Sequence, residues 1–568
     1  MLPMQESSTT GIVSDEQSWW KEAVFYQIYP RSFNDSDGDG IGDIPGIVEK
    51  VDYLEELGVD AVWLNPVYES PQADFGYDIA DYRAINPEYG SMDDWDRLLE
   101  ELHGRGIKLV MDLVVNHTSI DHEWFQRSRA REGKYEDYYI WRPGQDGGYP
   151  NNWDSHFNIP AWTYDDERAE YYLHLFTRDQ PDLNWENSDV REEMYDVVSW
   201  WLERGIDGFR LDVINEISKA PGLPDGDPEA EFVGGEHHVN GPRMHEFFDE
   251  LAERGFGEHR DQVATIGECT FIDPGTALDV TGRESNLLDM VIYFDHVQLD
   301  GRDRFDYREW ELTDLKEAMT RWQDAAAEGT WVALYHSNHD QPRAVSRFGD
   351  PEYRYESATM LATWLHGHKG TPFVYQGEEI GMSNVSFESP DDLVDPWAIN
   401  YWHNQREAGR EFAEVRENIE RLSRDNARTP MQWSDAEHAG FSAGEPWMPV
   451  GDDYETVNVA ADRERDHSVF EYYRELIALR DGMDVLVYGE FDLLLPENER
   501  IYAFRRALPE ADRELLVVCN FSDERPAFEA PASIDVADAT VVLSNLPEPD
   551  TDPSALDLRP YEAIIYEL

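Results

Sequence analysis

Lysine is scarce in this chain: seven stand among 568 residues, at positions 21, 50, 108, 134, 219, 316 and 369. The other forty basic residues are arginine, and all 47 cations face 119 Asp and Glu, a formal net charge of −72. So little positive charge excludes a nucleic-acid partner, because phosphate binding needs a basic stripe. It equally excludes a polybasic membrane contact. Cysteine is almost absent too. Cys269 and Cys519 fit no metal-ligand or redox spacing, and are expected to be buried apolar thiols in a reducing compartment. No uncharged apolar run approaches the ~20 residues of a membrane span. The first twenty residues hold no Lys or Arg and no apolar core, so no secretion signal is expected and the cytoplasm is the default.

Acidity of this degree can mean disorder. Here 41% of residues are hydrophobic and 13% aromatic, and they recur along almost the whole chain, enough for a large core. The sequence therefore reads as a globular protein with an acidic skin. Scarce lysine points to a halophile, in which surface carboxylates hold hydrated cations and high salt screens their repulsion.

Short apolar runs rich in β-branched and aromatic residues lie at 24–29, 61–65, 107–115, 208–211, 263–267, 289–294, 332–335 and 371–375. Amphipathic stretches such as 47–57, 93–103 and 189–203 separate them. Eight buried strands alternating with helices predict a parallel sheet, and eight is the number that closes a (β/α)₈ TIM barrel. Two departures from the rhythm set the domain organisation. Residues 118–187 are a long Trp/Tyr-rich insertion after the third strand, expected to form a small domain over the barrel mouth. From 486 to 568 the period becomes two, which predicts a C-terminal antiparallel β-sandwich. Residues 1–117 and 188–485 would then make the barrel.

Polar residues gather where the strands end: Asn116-His117, Asp212, Glu268, Asp295, Asn338-His339-Asp340 and Glu378-Glu379. One such acid is commonly a salt bridge or helix cap, but so many at the catalytic end of a barrel point to an active site. Glycoside cleavage needs one ionised carboxylate as nucleophile and one protonated carboxyl as acid. Asp212 ends the fourth strand, with Arg210 on the same face two residues earlier to hold it ionised. Glu268 ends the fifth, and neighbouring strands about 5 Å apart suit the short separation of a retaining pair. His117, His339 and Asp340 add partners for sugar hydroxyls. A zinc site would use similar residues, but no HExxH or close His pair is present.

DLVVNH (112–117), GFRLD (208–212), TIGE (265–268) and NHD (338–340) resemble, in order, the four signature regions of the α-amylase family, glycoside hydrolase family thirteen. QPDLNWEN, YQIYPRSFNDSDGDGIGDIPGI, YQGEEIGM and DNARTPMQW are similar to its oligo-1,6-glucosidase and α-glucosidase branch, and the resemblance runs from about residue 19 to 568. It implies Asp212 as nucleophile, Glu268 as acid/base and Asp340 as transition-state stabiliser, with His117, Arg210 and His339 lining the glucose subsite. Asp74 would hold the far side of the glucose and Tyr77 stack on it, while Arg428 would pair with Asp74 and close the pocket. Such closure implies an exo-acting enzyme. Phe157 and Phe176 match aromatic positions at the entrance, although core packing explains them nearly as well. Val213, just after the nucleophile, is the residue that in this branch accompanies α-1,6 cleavage, whereas alanine or threonine accompanies α-1,4.

The loop from Asp35 to Asp43 has oxygen ligands at alternate positions, like the first half of an EF-hand. Position twelve, where an EF-hand has its bidentate Glu, is Gly46. The resemblance implies a structural Ca²⁺ or Mg²⁺ on Asp35, Asp37, Asp39, the Ile41 carbonyl and Asp43. Three departures bear on acceptor preference: SHFNIPAW at 155–162 in place of a Gly-Ser-rich turn, Phe294-Asp295-His296 in place of Phe-Glu-His, and Tyr335-His336-Ser337 before Asn338. The expectation is a retaining exo-α-glucosidase acting on small α-glucosides, with 1,6 bonds favoured and 1,4 bonds open. A transglucosylase and a maltose-to-trehalose isomerase are alternatives on the same scaffold. A non-enzymatic transporter heavy chain would need a membrane span and tends to lose the catalytic acids. Oligomeric state is not legible.

Overall fold

A computed structural model describes residues 18–230, 232–282, 287–301 and 305–568. Eight strands follow the eight apolar runs: β1 (Phe25–Ile28), β2 (Ala61–Leu64), β3 (Lys108–Val114), β4 (Gly208–Asp212), β5 (Ala264–Glu268), β6 (Met290–Ile292), β7 (Ala333–Leu334) and β8 (Thr371–Tyr375). They pair in parallel in the order β6-β5-β4-β3-β2-β1-β8-β7, and a bridge from Val291 to Val332 joins the two ends. The result is a TIM barrel. The strands are buried on both faces, which is why they read as continuous apolar runs rather than as alternation.

Register decides what the barrel mouth holds. Arg210 on β4 lies opposite Asp112 on β3 and Ile266 on β5, so the three strands bring Asp112, Arg210, Asp212 and Glu268 to one end. Gly208 opens β4 where a Cβ would stand 2.2 Å from the Ala264 carbonyl oxygen, so only glycine lets β4 and β5 approach closely enough to set this register.

Between β3 and β4 the chain leaves the barrel. It forms a helix at Glu123–Arg129 and a three-stranded antiparallel sheet, with Glu170–Leu173 between Trp141–Arg142 and Trp162–Asp165. Its core of Ile140, Trp153, Trp162, Leu173 and Leu175 also takes in Leu223, from the segment after β4. A second excursion, after β8, was not foreseen. Helices Pro396–Glu407 and Arg416–Leu422 close over Leu393, Ala398, Trp402 and Ile419 together with Phe305, and Asn400 Nδ2 donates to the Phe157 carbonyl of the insertion. The helix expected at 47–57 is two: Ile44–Val48, capped by Asp43, and Val51–Leu57, ending at Gly58 with φ 90°.

At the C-terminus β9 (Glu490–Leu494), β10 (Ile501–Leu508), β11 (Arg513–Asn520), β12 (Thr540–Ser544) and β13 (Ala563–Glu567) form an antiparallel sheet in the order β9-β10-β11-β13-β12. A two-stranded ribbon, Ala527–Glu529 with Ala555–Asp557, packs Phe528 and Leu556 against its outer face. Its other side is fastened to the barrel by the buried Arg506, which donates to the carbonyls of Gly367 and Leu486. Both cysteines are free and buried. Among the described residues no helix is long and apolar enough to cross a membrane.

Candidate active site

One guanidinium organises the centre. Arg210 Nη1 donates to Asp212 Oδ1 at 2.6 Å and to Asp112 Oδ1 at 2.9 Å, while Nη2 lies 2.7 Å from Glu268 Oε2. The sequence pointed Arg210 at Asp212 alone. The strand register gives it both members of the pair, and Asp112, which sequence reasoning passed over inside DLVVNH. An acid in the middle of an otherwise apolar barrel strand was the available signal. Burial pushes the Asp212, Glu268 and Asp112 carboxyls above their ordinary range, and Arg210 draws each of them down. Three buried carboxyls around one cation favour keeping a proton within the cluster at neutral pH, and the pair titrates as a unit.

Beneath this centre runs a neutral relay. Gln27 Nε2 donates to His339 Nδ1 at 2.8 Å, His339 Nε2 meets Tyr77 OH at 2.8 Å, and Tyr77 donates to Asp112 Oδ2 at 3.0 Å. With Nδ1 accepting, His339 carries its proton on Nε2, and burial holds the imidazole neutral. Tyr77 and His339 are stacked, their rings 7° from parallel. His117 is likewise kept neutral, pushed down to about 3 by burial and by Lys219. Gln180, which the sequence placed only within a signature, joins His117 Nε2 to Asp74 Oδ2, both at 3.1 Å.

The far wall departs from expectation. Asp74 does not bond Arg428; its ion pair is with Arg424 Nη2, at 3.3 Å. Arg428 instead donates to Asp340 Oδ1 at 2.8 Å and to the His339 carbonyl at 3.1 Å. The reason is helical: Arg424 precedes the single turn Asp425–Arg428, so two arginines four apart project to the same side and the nearer one takes Asp74. Arg424 also reaches Asp340 Oδ1 at 3.1 Å and Asp395 Oδ1 at 2.5 Å.

These groups surround a cavity of about 690 Å³. Asp74, Tyr77, His117, Phe157, Phe176, Asp212, Val213, Glu268 and Asp340 line it, while Arg210, His339 and Arg428 support it from below. Phe176 packs 4.9 Å from the His117 ring, and Phe157 sits 5.6 Å from Trp397 of the second excursion. Val213 has φ 37°, a left-handed conformation that is strained for a β-branched residue. In that conformation its N–H donates to Glu268 Oε2 at 3.2 Å. Three strand-end acids stay out of the cavity lining: Asp295 accepts from Trp322 Nε1, and Glu378 and Glu379 are buried.

In the acidic loop each of Asp35, Asp37 and Asp39 accepts from the N–H two residues on, at 2.8 to 3.1 Å. This winding brings the three carboxylates within 4.8 Å of one another, a donor set that suits a hard cation. Asp43 does not join them. Its oxygens are taken by the Gly46 N–H, as a helix cap, and by Ser36.

The family described as "Alpha amylase, catalytic domain" matches residues 27–489. An oligo-1,6-glucosidase of Parageobacillus thermoglucosidasius is 51% identical, over 97% of this chain and 99% of that protein. Among solved structures, a trehalose-6-phosphate hydrolase of Bacillus licheniformis is 43% identical with a TM-score of 0.92, covering 97% of this chain and 100% of the other. An isomaltulose synthase of Erwinia rhapontici, in complex with sucrose, is 40% identical with a TM-score of 0.93, over 97% and 99%. With a matched family model across most of its length and a full-length relative at half identity, this chain belongs to the α-amylase family of glycoside hydrolases.

Proposed function

We propose that the protein is a retaining exo-α-glucosidase that releases glucose from the nonreducing ends of short α-glucosides, with 1,6 bonds preferred. The observation that carries this is the single guanidinium bridging Asp212 and Glu268 at one end of a cavity whose other end is held by Asp74, Arg424 and Asp340. A chain end fits such a blind pocket; the middle of a polymer does not. Two carboxyls spanned by one guanidinium suit the short separation of a retaining pair better than the wider gap that an inverting pair leaves for its water.

In this reading Asp212 attacks the anomeric carbon while Glu268 gives its proton to the leaving oxygen, forming a covalent glucosyl-enzyme. Glu268, now ionised, takes a proton from water, which attacks the same carbon and frees Asp212. Asp340 grips the 2- and 3-hydroxyls as the ring flattens, and neutral His117 and His339 serve as hydrogen-bond partners that add no charge beside the developing cation. Asp35, Asp37 and Asp39 would hold a Ca²⁺ or Mg²⁺ as a structural brace away from the reaction. Val213 supports the 1,6 preference, and the 51% identical oligo-1,6-glucosidase supports it independently. We divide the chain into a barrel of 1–117 and 188–485, an insertion of 118–187 and a sandwich of 486–568. Two free, buried thiols fit a reducing interior.

The test is hydrolysis of isomaltose and maltose side by side in molar salt, with the first anomer followed by NMR. Faster release from isomaltose, with α-glucose appearing first, is expected. Maltose cleavage with isomaltose untouched overturns the linkage, and β-glucose first overturns the mechanism. The solved isomaltulose synthase relative gives transfer a specific claim as second reading. Growing oligosaccharides in place of glucose at high substrate would select it.

A further inference from the structure

Part of the cavity lining is built from residues that the reaction itself does not use. Phe271 follows Glu268 by three positions and lines the cavity, yet 55% of its surface is exposed, more than any other large apolar residue described. Its φ is 50°, a left-handed backbone that costs a bulky residue of order 1–3 kcal/mol. An exposed aromatic held in a strained backbone at a cavity rim suggests a binding role. It does not stand alone. His156, in the departing SHFNIPAW segment, has its ring 15° from parallel to Phe176 at 4.9 Å, and 15° from parallel to Phe271 at 6.5 Å. Phe232 packs 4.4 Å from His156 and 5.9 Å from Phe271. All four rings line the cavity.

His156 is fixed from behind by Glu216, which is wholly buried four residues after the nucleophile. His156 Nε2 stands 3.0 Å from Glu216 Oε1, His238 Nδ1 lies 3.2 Å from Oε2, and Thr270 Oγ donates to Oε1. Burial opposes the Glu216 charge, but the hydrogen bonds and charge of the two histidines outweigh it and draw the carboxyl well below its usual range. A buried charge ties the insertion to the segments after β4 and β5, and breaking such a pair is costly.

We infer that His156, Phe232 and Phe271 form a stacking wall for the aglycone sugar rings of the substrate, with Glu216 as the positioning residue that fixes His156. The apolar CH face of a pyranose is the chemistry such a wall takes. This deepens the exo-glucosidase reading and rests on it.

Phe271→Ala and His156→Ala test it, with α-glucosyl fluoride and isomaltotriose as paired substrates. The fluoride reports the glucose pocket and the catalytic acids without any aglycone ring. Each variant is expected to turn over the fluoride at the wild-type rate and to lose about tenfold in kcat/KM on isomaltotriose, mainly through KM, the scale of lost apolar contact. Glu216→Gln should show the same split. Equal kcat/KM on isomaltotriose in the presence of normal fluoride turnover overturns the wall. An equal loss on both substrates overturns it as well, because that loss belongs to the catalytic centre. A wild-type enzyme inactive on the fluoride overturns the glucosidase reading instead.

Discussion

At the scale of single residues, the proposed mechanism asks one arginine to serve two carboxyls with opposite tasks. Arg210 touches both, so charge alone does not distinguish nucleophile from acid; the contacts around it must. Glu268 accepts from the Val213 N–H through the same oxygen that faces Arg210, whereas Asp212 takes the shorter bond, 2.6 Å, from Nη1. Glu268→Gln should lower kcat on isomaltose by about 10²–10⁴, the range for losing a general acid. On α-glucosyl fluoride, whose leaving group needs no proton, it should still give a burst of one fluoride per site. Asp212→Asn should abolish both signals in a stopped-flow fluoride assay. A burst from Asp212→Asn would reverse the assignment. At the far wall, Arg424→Lys keeps the charge but loses the planar fork that spans Asp74, Asp340 and Asp395. It should raise KM for isomaltose about tenfold or more, with a smaller fall in kcat. An unchanged KM would show that Asp74 is held without it.

At the scale of elements, the loop after β7 carries His339 and Asp340, and it is anchored from below by β8. Glu378 Oε1 accepts from Ser337 Oγ at 2.6 Å and from the Ser337 N–H at 3.2 Å. Its other oxygen has no partner among the described groups. Burial and the neighbouring Glu379 push its carboxyl up to about 8, against the pull of Ser337 and Arg343. The folded state therefore binds a proton that the unfolded chain gives up near pH 4.5. Stability from this group falls as pH rises between about 4.5 and 8, by up to about 1.4 kcal/mol per unit, and levels off above. Glu378→Gln mimics the neutral form and should flatten that decline. Thermal midpoints from pH 5 to 9 that run parallel in the two proteins would refute it. Sequence legibility also divides at this scale. All eight barrel strands were readable, because double-sided burial leaves predominantly apolar runs such as VFYQIY and KLVMDLVV. The helical pair over Trp402 was not, because Pro396–Glu407 buries only Ala398 and Trp402 and carries no clear apolar stripe. Arg424 was missed for a related reason. The motif drew attention to Arg428, and which arginine of one turn reaches Asp74 is set by tertiary placement. His156 was noted as lying in a departing segment, but its partner Glu216 is 60 positions away and only the fold joins them.

At the scale of the whole molecule, most of the charge of −72 lies on the surface. Arg210, Arg343, Arg428, Arg480 and Arg506 are wholly buried, but so are Asp78, Asp112, Asp182, Glu216, Glu379, Asp395, Asp425 and Asp462, so burial withdraws more acids than cations and still leaves a strongly acidic coat. Partly exposed arginines do pair, as Arg127 with Glu123 and Arg105 with Asp52, and salt weakens such pairs. Each is worth only about 0.2–1 kcal/mol, however. With 119 acids facing 47 cations, most surface carboxylates have like charges as neighbours, so net repulsion dominates what screening changes. The Debye length shrinks from about 10 Å at 0.1 M salt to about 3 Å at 1 M, below the spacing of most of these charges. The thermal midpoint should therefore climb through the molar range of KCl, and sucrose at matched osmolality should reproduce only a minor part of the rise. Differential scanning fluorimetry in the two series separates ionic screening from general exclusion. A midpoint flat from 0.1 to 2 M KCl would mean that the acidic coat is electrostatically neutral to folding, and would remove the physical case for a high-salt habitat. Equal rises in KCl and sucrose would assign the effect to exclusion instead.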